Sequence, residues 1–132
     1  MEFAVTAMPA GGKKIDTSFA GFAVRTDLAE SSGGEGSAPE PLDMLFVAVA
    51  SCAANYAVEF CNARSLSTDG LQVRLVARRP DEGGLFDDMA LQVELPQEFP
   101  EKYRKAIVRA MEKCTVKKHL QAQIDVRTEI AT

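Results

Sequence analysis

Three cysteines are the residues of this sequence best suited to covalent chemistry. Cys52 lies within the apolar run Met44–Ala54, and Cys114 ends the segment EKYRKAIVRAMEKC. No two of the cysteines have CxxC or CxxH spacing, so the pattern indicates neither a zinc site nor a disulfide framework. In a reducing compartment, two alternatives remain. The thiols are either inert core residues, since free cysteine is commonly buried, or they carry out redox chemistry.

Cys52 lies in a predicted helix that runs from about Leu42 to Arg64. The first half of this helix is apolar on every side, which indicates that other elements enclose it. Cys114 ends a second predicted helix over residues 101–114, where apolar residues recur every three or four positions. Two apolar helices in one small domain must pack together, so both thiols could meet in the core. A thiolate beside a second thiol suits a reversible cycle, because the second thiol captures a sulfenic acid before it oxidises further.

Alternating segments around the two helices predict strands. They include an N-terminal hairpin, which a Gly- and Ser-rich loop of about a dozen residues connects to the first helix. The predicted strands cover residues 2–8, 15–25, 71–79, 85–95 and 124–130. The order ββ-α-ββ-α-β, with hairpins instead of regular βα alternation, predicts an α+β fold with antiparallel sheet packed on two helices. The length of 132 residues predicts a single domain over residues 1–132.

Charge and hydropathy exclude several classes of function. The formal net charge of -4 and the pI near 5.0 argue against a nucleic-acid-binding surface. The start MEFAVTAM has no cationic segment followed by an apolar run, so no signal peptide is predicted and a cytoplasmic protein is expected. The run Met44–Ala54 is shorter than the ~20 residues that cross a bilayer, so no membrane association is predicted.

Two cysteine-containing segments resemble the signatures of the OsmC/Ohr family. The segments are GGEGSAPEPLDMLFVAVASCAANYAVEF and KCTVKKHL, and RSLSTDGLQVRLVARR and FDDMALQVELP between them also fit. The resemblance extends from Phe22 over nearly all of the remaining chain. It implies an OsmC-like fold, in which antiparallel sheets of an intertwined homodimer wrap two central helices. It also implies that the active sites lie at the subunit interface.

The resemblance further implies thiol-dependent reduction of hydroperoxides as part of an oxidative stress response. The preferred substrates would be organic hydroperoxides, with hydrogen peroxide as a second candidate. Cys52 would attack the O–O bond and become a sulfenic acid, and Cys114 would condense with it to a disulfide. An external dithiol would restore both thiols, with no metal and no organic cofactor. The alternative is a member of the same fold that binds a small apolar molecule in the dimer cleft without peroxidase activity.

A thiol in an apolar helix needs help to ionise. Cys52 must be a thiolate to attack a peroxide, whereas burial disfavours the charged form, so a nearby cation is expected. In relatives of the organic-hydroperoxide type, that cation is an Arg of the N-terminal Gly-rich turn, held by a Glu near the start of the long helix. Here GGKK places Lys13 or Lys14 at this turn, and Arg25 is a weaker candidate. Lysine lacks the planar fork of arginine. Solvated lysines of an ordinary turn are the alternative interpretation.

The position that resembles the family's acidic residue is Asp43, nine residues before Cys52. That offset is about 900° at ~100° per residue, which places the two side chains on opposite faces of a straight helix. Asp43 would then serve a second subunit, or its own Cys52 across a kink. Alternatively, it only stabilises the helix N-terminus. Cys61, also nine residues from Cys52, is expected to be structural. His119 is expected to be exposed and without a metal role.

Overall fold

The computed structural model describes residues 1–131 of the chain. They form two compact units, residues 1–45 and the part from Phe46 onward. Helix α1 (Pro41–Ala63) begins in the first unit and continues in the second. The predicted α+β class with antiparallel strands is confirmed, and the predicted long helix agrees with α1 to within one residue at each end. The single domain over residues 1–132 stays a prediction.

The first unit contains a three-stranded antiparallel meander. Its strands are β1 (Thr6–Pro9), β2 (Ile15–Phe19) and β3 (Phe22–Thr26), neighbours in that order. The prediction of one strand over residues 15–25 is wrong, because a two-residue turn divides that segment. Ala20 and Gly21 have φ values of 47° and 81°, and two successive residues of positive φ make the tight turn that matches the twist of a hairpin.

The second unit places two strands and two short helices beside α1. They are β4 (Gln72–Arg78), β5 (Asp88–Glu94), α2 (Arg104–Met111) and α3 (Thr115–Gln121). The antiparallel pair β4–β5 confirms the alternating pattern of the sequence. The buried core is formed by Ala53, Ala57, Phe60, Cys61, Phe99, Ile107 and Met111. Partly buried side chains of the strands, such as Val73 and Leu91, pack against this core, so one side of α1 faces both the strands and α2.

Helix α1 is long and apolar enough, by length and composition alone, to cross a membrane. Core helices of soluble proteins share these properties. Buried residues recur every three or four positions from Val49 to Cys61, as in a helix with one side in a core. The prediction that other elements enclose the first half on every side is wrong within one chain, because Val47 and Ser51 are exposed. The cytoplasmic location stays a prediction.

Two predictions for the C-terminal third of the chain are wrong. The predicted helix over residues 101–114 is a 3₁₀ turn (Glu101–Tyr103) followed by α2, and it ends at Met111, three residues before Cys114. The segment after Cys114 forms α3. The predicted last strand, residues 124–130, is not a strand in the described part of the chain, and its apolar side chains are exposed. An alternating segment becomes a strand only when a neighbouring strand satisfies its backbone groups, and no described strand does so here.

Candidate thiol redox site

Cys114 lies at the junction of α2 and α3, where it caps the start of α3. Its backbone is not helical, with φ of -47° and ψ of 124°, and the backbone N–H of Lys117 donates to its Sγ at 3.4 Å. A side-chain acceptor at this position satisfies one of the free N–H groups at a helix start. The Cys114 side chain is fully buried. Its sulfur is therefore fixed by the local geometry of the junction.

Cys52 reaches the same junction from the middle of α1. It is partly exposed, whereas its neighbour Ala53 is buried in the core. The Cys114 side chain and the backbone N–H groups of Thr115 and Val116 lie near enough to the Cys52 thiol to affect its pKa. The structure thus brings together the two cysteines that the sequence placed on separate helices. Their roles in catalysis stay predictions.

The two thiols differ in their tendency to ionise. Burial acts to raise the pKa of Cys52, but hydrogen bonds from the Cys114 thiol and from the backbone of Val116 and Thr115 outweigh it and lower that pKa. Burial and the hydrogen bond to Cys52 raise the pKa of Cys114. Cys52 is therefore the more acidic thiol, and Cys114 is the donor that stabilises its thiolate. The groups that lower the pKa of Cys52 are neutral donors, whereas the sequence predicted a cation.

Tyr56 belongs to this site, although the sequence analysis did not identify it. Its Oη lies 3.1 Å from Oγ1 of Thr115, so a side-chain hydrogen bond joins α1 to the first residue of α3. This bond holds the start of α3 against the part of α1 that carries Cys52. The available signal was the spacing, because Tyr56 follows Cys52 by four residues and thus lies on the same side of the helix.

Cys61 and His119 are the other two residues that the sequence offered for thiol or metal chemistry. Cys61 is fully buried in the core, where burial raises the pKa of its thiol and the charge of Arg64 opposes that rise. This environment agrees with the structural role predicted for it. His119 is exposed, as predicted, with Nδ1 2.7 Å from the carbonyl oxygen of Thr115. The described residues contain no group of three or more His, Cys, Asp or Glu that could hold a metal.

Asp43 makes a local contact at the start of α1. Its Oδ2 accepts a hydrogen bond from the backbone N–H of Glu40 at 2.9 Å. An acidic side chain that reaches back to the residue before the helix satisfies a free N–H group and stabilises the positive end of the helix dipole. This contact fits the alternative interpretation, a carboxylate that stabilises the helix N-terminus. The role of Asp43 at a thiol site stays a prediction.

The candidate cations all have neighbours within the first unit. Nζ of Lys14 lies 3.1 Å from a carboxylate oxygen of the Gly-rich loop, and the Lys14 side chain is only 20% exposed. Lys13 lies beside the same loop. Its Cε is 3.5 Å from the position that a Cβ would occupy on Gly33. Arg25 donates two parallel hydrogen bonds to Asp16, of 2.6 and 2.8 Å, which is the fork geometry that lysine cannot make. The roles of Lys13, Lys14 and Arg25 at the thiols stay predictions.

Asp27 is a buried carboxylate that the sequence analysis missed. It is 1% exposed and accepts hydrogen bonds from the hydroxyl and backbone of Ser37 and from the backbone of Leu28 and Glu35. The bonds from Ser37 contribute most, and together the bonds lower the pKa of Asp27 to about 2. Gly34 packs against this carboxylate so closely that a Cβ there would collide with the carbonyl of Leu28. Asp27 therefore organises the Gly-rich loop from inside.

The chain matches the sequence model of one known family. That family is described as OsmC-like protein, and the match covers residues 34–129, well over half of the chain. The matched residues include both cysteines of the pair. No curated protein matches the chain at a significant level.

Several solved structures resemble the chain at low sequence identity, and they therefore show its fold alone. A putative osmotic stress induced and detoxification response protein from Psychrobacter arcticus 273-4 is 17% identical, with a TM-score of 0.74 over 87% of this chain and 85% of that one. An OsmC like protein from Mycoplasma pneumoniae is 19% identical, with a TM-score of 0.71 over 92% and 88%. An organic hydroperoxide resistance protein OsmC from Legionella pneumophila, also described as a predicted redox protein, is 18% identical, with a TM-score of 0.59 over 96% and 94%.

Proposed function

Because the chain belongs to the OsmC-like protein family, we propose that it is a thiol-dependent peroxidase that reduces organic hydroperoxides. One observation carries the proposal. Cys52, partly exposed and with a lowered pKa, lies beside a buried Cys114 whose pKa is raised. A nucleophilic thiolate with a protonated thiol in contact is the arrangement that a two-cysteine peroxidase cycle requires. The low-identity likeness to a hydroperoxide resistance protein agrees with this chemistry.

The proposed cycle has three steps. The Cys52 thiolate attacks the O–O bond, keeps one oxygen as a sulfenic acid, and releases the other as an alkoxide that takes a proton to become an alcohol. The Cys114 thiol then attacks the sulfenic sulfur, so that one water leaves and a Cys52–Cys114 disulfide forms. An external dithiol reduces the disulfide and is itself oxidised to a disulfide. The Lys117 N–H that donates to Cys114 Sγ stabilises negative charge on this sulfur in the second and third steps.

An apolar pocket supports the preference for organic substrates. The pocket has a volume of about 340 Å³ and is lined mainly by apolar side chains of α1, α2, α3, β4 and β5. Val49 of its lining is one turn before Cys52, and Met111 and Lys117 are three residues before and after Cys114. Its volume is within the range of roughly 300–1,000 Å³ typical of small-molecule sites. The organic group of a hydroperoxide could therefore be buried in this pocket, out of water and near the reacting sulfur.

Thiol chemistry under peroxide tests the proposal. Reduced protein is treated separately with cumene hydroperoxide and with hydrogen peroxide, and free thiols and intact mass are followed with time. We expect two thiols to disappear as a Cys52–Cys114 disulfide, faster with cumene hydroperoxide. Cys52→Ser should abolish the reaction, and Cys114→Ser should lead to sulfinic and sulfonic acids at Cys52. The matched control Cys61→Ser should react as the wild type does. Both thiols staying reduced in excess peroxide would exclude the peroxidase.

Ligand binding without turnover is the second candidate function, and the same apolar pocket favours it. In that case the thiols would remain reduced in excess peroxide, while a fluorescent fatty acid would still bind to the protein. Substituting Leu91, which lines the pocket, with Asp should then weaken the binding. Peroxide-dependent disulfide formation at Cys52 would reject this second function as the main one.

We propose that the partner of this chain is a second copy of itself, in a homodimer. The C-terminal segment has an apolar side whose residues Ile124, Val126 and Ile130 are 56%, 86% and 93% exposed. The residues between them, such as Asp125 and Arg127, are charged, so the segment has the pattern of a half-buried strand without a neighbour. An exposed apolar strand pattern is a typical surface for pairing with another chain.

A further inference from the structure

Basic residues are concentrated on the two C-terminal helices of this acidic chain. Seven of its 15 Lys and Arg residues lie within residues 102–118, where Glu112 is the only acidic residue. The chain as a whole has 19 acidic residues and a net charge of -4. A local excess of cations makes the potential positive there, whatever the net charge of the protein. The proposed peroxide chemistry does not require this feature.

A groove between α1 and α2 contains part of this positive surface. Its volume is about 390 Å³, and small side chains from both helices, Ala63, Ala106 and Ala110, line it. Arg109 and Lys113 also line the groove, and among the described residues neither has an ion-pair partner. The small residues leave room for a ligand, and both cations are free to bind an anion.

Two further charged residues line the groove. The guanidinium of Arg64 stacks on the Phe60 ring, 3.6 Å from its centroid, and donates to the Phe60 carbonyl oxygen at 3.2 Å. These contacts hold the third cation in place at the groove. Glu59 provides the only negative charge of the lining, so the groove has three cations and one anion.

One end of the groove lies next to the cysteine pair. Tyr56 lines the groove, and its hydroxyl bonds to Thr115, whose backbone N–H is a neighbour of the Cys52 thiol. Tyr56 follows Cys52 by one helical turn, a rise of about 6 Å along the axis. On the other helix, Lys113 directly precedes Cys114. Tyr56 and Lys113 of the groove lining therefore connect the groove to the cysteine pair.

We propose that this groove binds the carboxylates of a small dithiol and that an anionic dithiol is the preferred reductant of the Cys52–Cys114 disulfide. This proposal rests on the proposed function, because the peroxidase cycle supplies the disulfide. The groove volume suits a small molecule, and its charge suits a ligand with carboxylates. The site lies outside the apolar pocket proposed for the peroxide, and the two share no lining residue.

The reduction follows ordinary thiol–disulfide exchange. One thiolate of the bound dithiol attacks the sulfur of Cys52, which is partly exposed, whereas Cys114 is fully buried. The bond between the cysteines breaks, and the Cys114 thiolate leaves and takes a proton. The second thiolate of the dithiol then attacks the mixed disulfide and releases Cys52. Two electrons and two protons pass to the protein, and the dithiol becomes a disulfide.

Charged and neutral disulfide reagents test the groove on the reduced protein. The dianion 5,5′-dithiobis(2-nitrobenzoate) and neutral 4,4′-dithiodipyridine both react with thiolates, and mass analysis of peptides identifies modification at Cys52. The quantity compared is the rate of reaction with the anionic reagent divided by the rate with the neutral one. At low salt, we expect Arg109→Glu and Lys113→Glu each to lower this ratio by about tenfold. The matched control Lys105→Glu makes the same charge change on α2 outside the groove lining, and should change the ratio by less than about twofold. In ~1 M salt the differences should vanish, because the screening length is then about 3 Å.

A second measurement tests the reductant preference. Protein with the Cys52–Cys114 disulfide, formed with peroxide or with diamide, is reduced with dimercaptosuccinate, which is anionic, or dithiothreitol, which is neutral. Arg109→Glu and Lys113→Glu should slow reduction by the anionic dithiol alone. The proposal would be overturned if the substitutions slowed reduction by both reagents equally, or if Lys105→Glu slowed reduction by the anionic dithiol as much. Failure of diamide to form the disulfide would also overturn it. If diamide oxidises the protein but peroxide does not, the peroxidase is disproved. If the preference for the anionic dithiol is then still observed, the groove is established.

Discussion

Replacing Ile107 with Ala should strongly destabilise the second unit. Ile107 is fully buried on α2, in the same core cluster as Ala53 and Ala57 of α1. The substitution removes three carbon atoms, and at ~0.8 kcal/mol each the lost burial is about 2.4 kcal/mol. The cavity left behind adds to this cost, so we expect a loss of about 3 kcal/mol in the free energy of unfolding. That is a large part of the ~5–15 kcal/mol that stabilises an ordinary domain.

Urea unfolding followed by far-UV circular dichroism measures this loss. With a typical slope of about 1–3 kcal/mol per molar urea, the midpoint should fall by about 1–3 M while the slope stays the same. The matched control is Val108→Ala on the neighbouring position of α2, where the side chain is 44% exposed, and it should cost less than about 1 kcal/mol. Because α2 ends beside Cys114, Ile107→Ala should also expose this buried thiol to alkylation more often. Equal losses in Ile107→Ala and Val108→Ala would refute the assignment of the core.

Two further predictions concern the Gly-rich loop and the dimer. Asp27 has a pKa of about 2 against an ordinary value of 3.8, so its contribution to stability is complete above about pH 4 and is lost as the pH falls towards 2. The protection of the Ser37 amide from hydrogen exchange, measured against its intrinsic rate at each pH, should therefore fall in that range. Asp27→Asn should lower this protection already at neutral pH, and unchanged protection in the variant would contradict this role. Light scattering should give twice the chain mass of 14.3 kDa for the wild type and a lower mass for Val126→Asp, whereas Arg127→Asp on the opposite side of the segment should stay dimeric. A wild-type protein with the mass of one chain would contradict the dimer.

Local sequence patterns predicted the elements whose own residues specify them. Helix α1 and the pair β4–β5 agree with the periodicity of their apolar residues. The division of residues 15–25 into two strands depended on Ala20, which adopts a positive φ that alanine rarely takes and that the sequence did not signal. The last strand failed for a different reason, since residues 124–130 have the pattern but no described partner strand.

The sequence by itself determined which residues are candidates for the chemistry. Cys52 and Cys114 are identified by their places on two apolar segments, within two family signatures. Only the tertiary structure decided how they differ, because the order of their pKa values depends on neighbours that are distant in the chain. The backbone amides of Thr115 and Val116 lie about 60 residues from Cys52 along the chain, and the hydrogen bond between Tyr56 and Thr115 spans 59 residues. No local pattern reports such contacts. Periodicity is a property of one segment, whereas the acidity of a thiol depends on every group that folding brings to it.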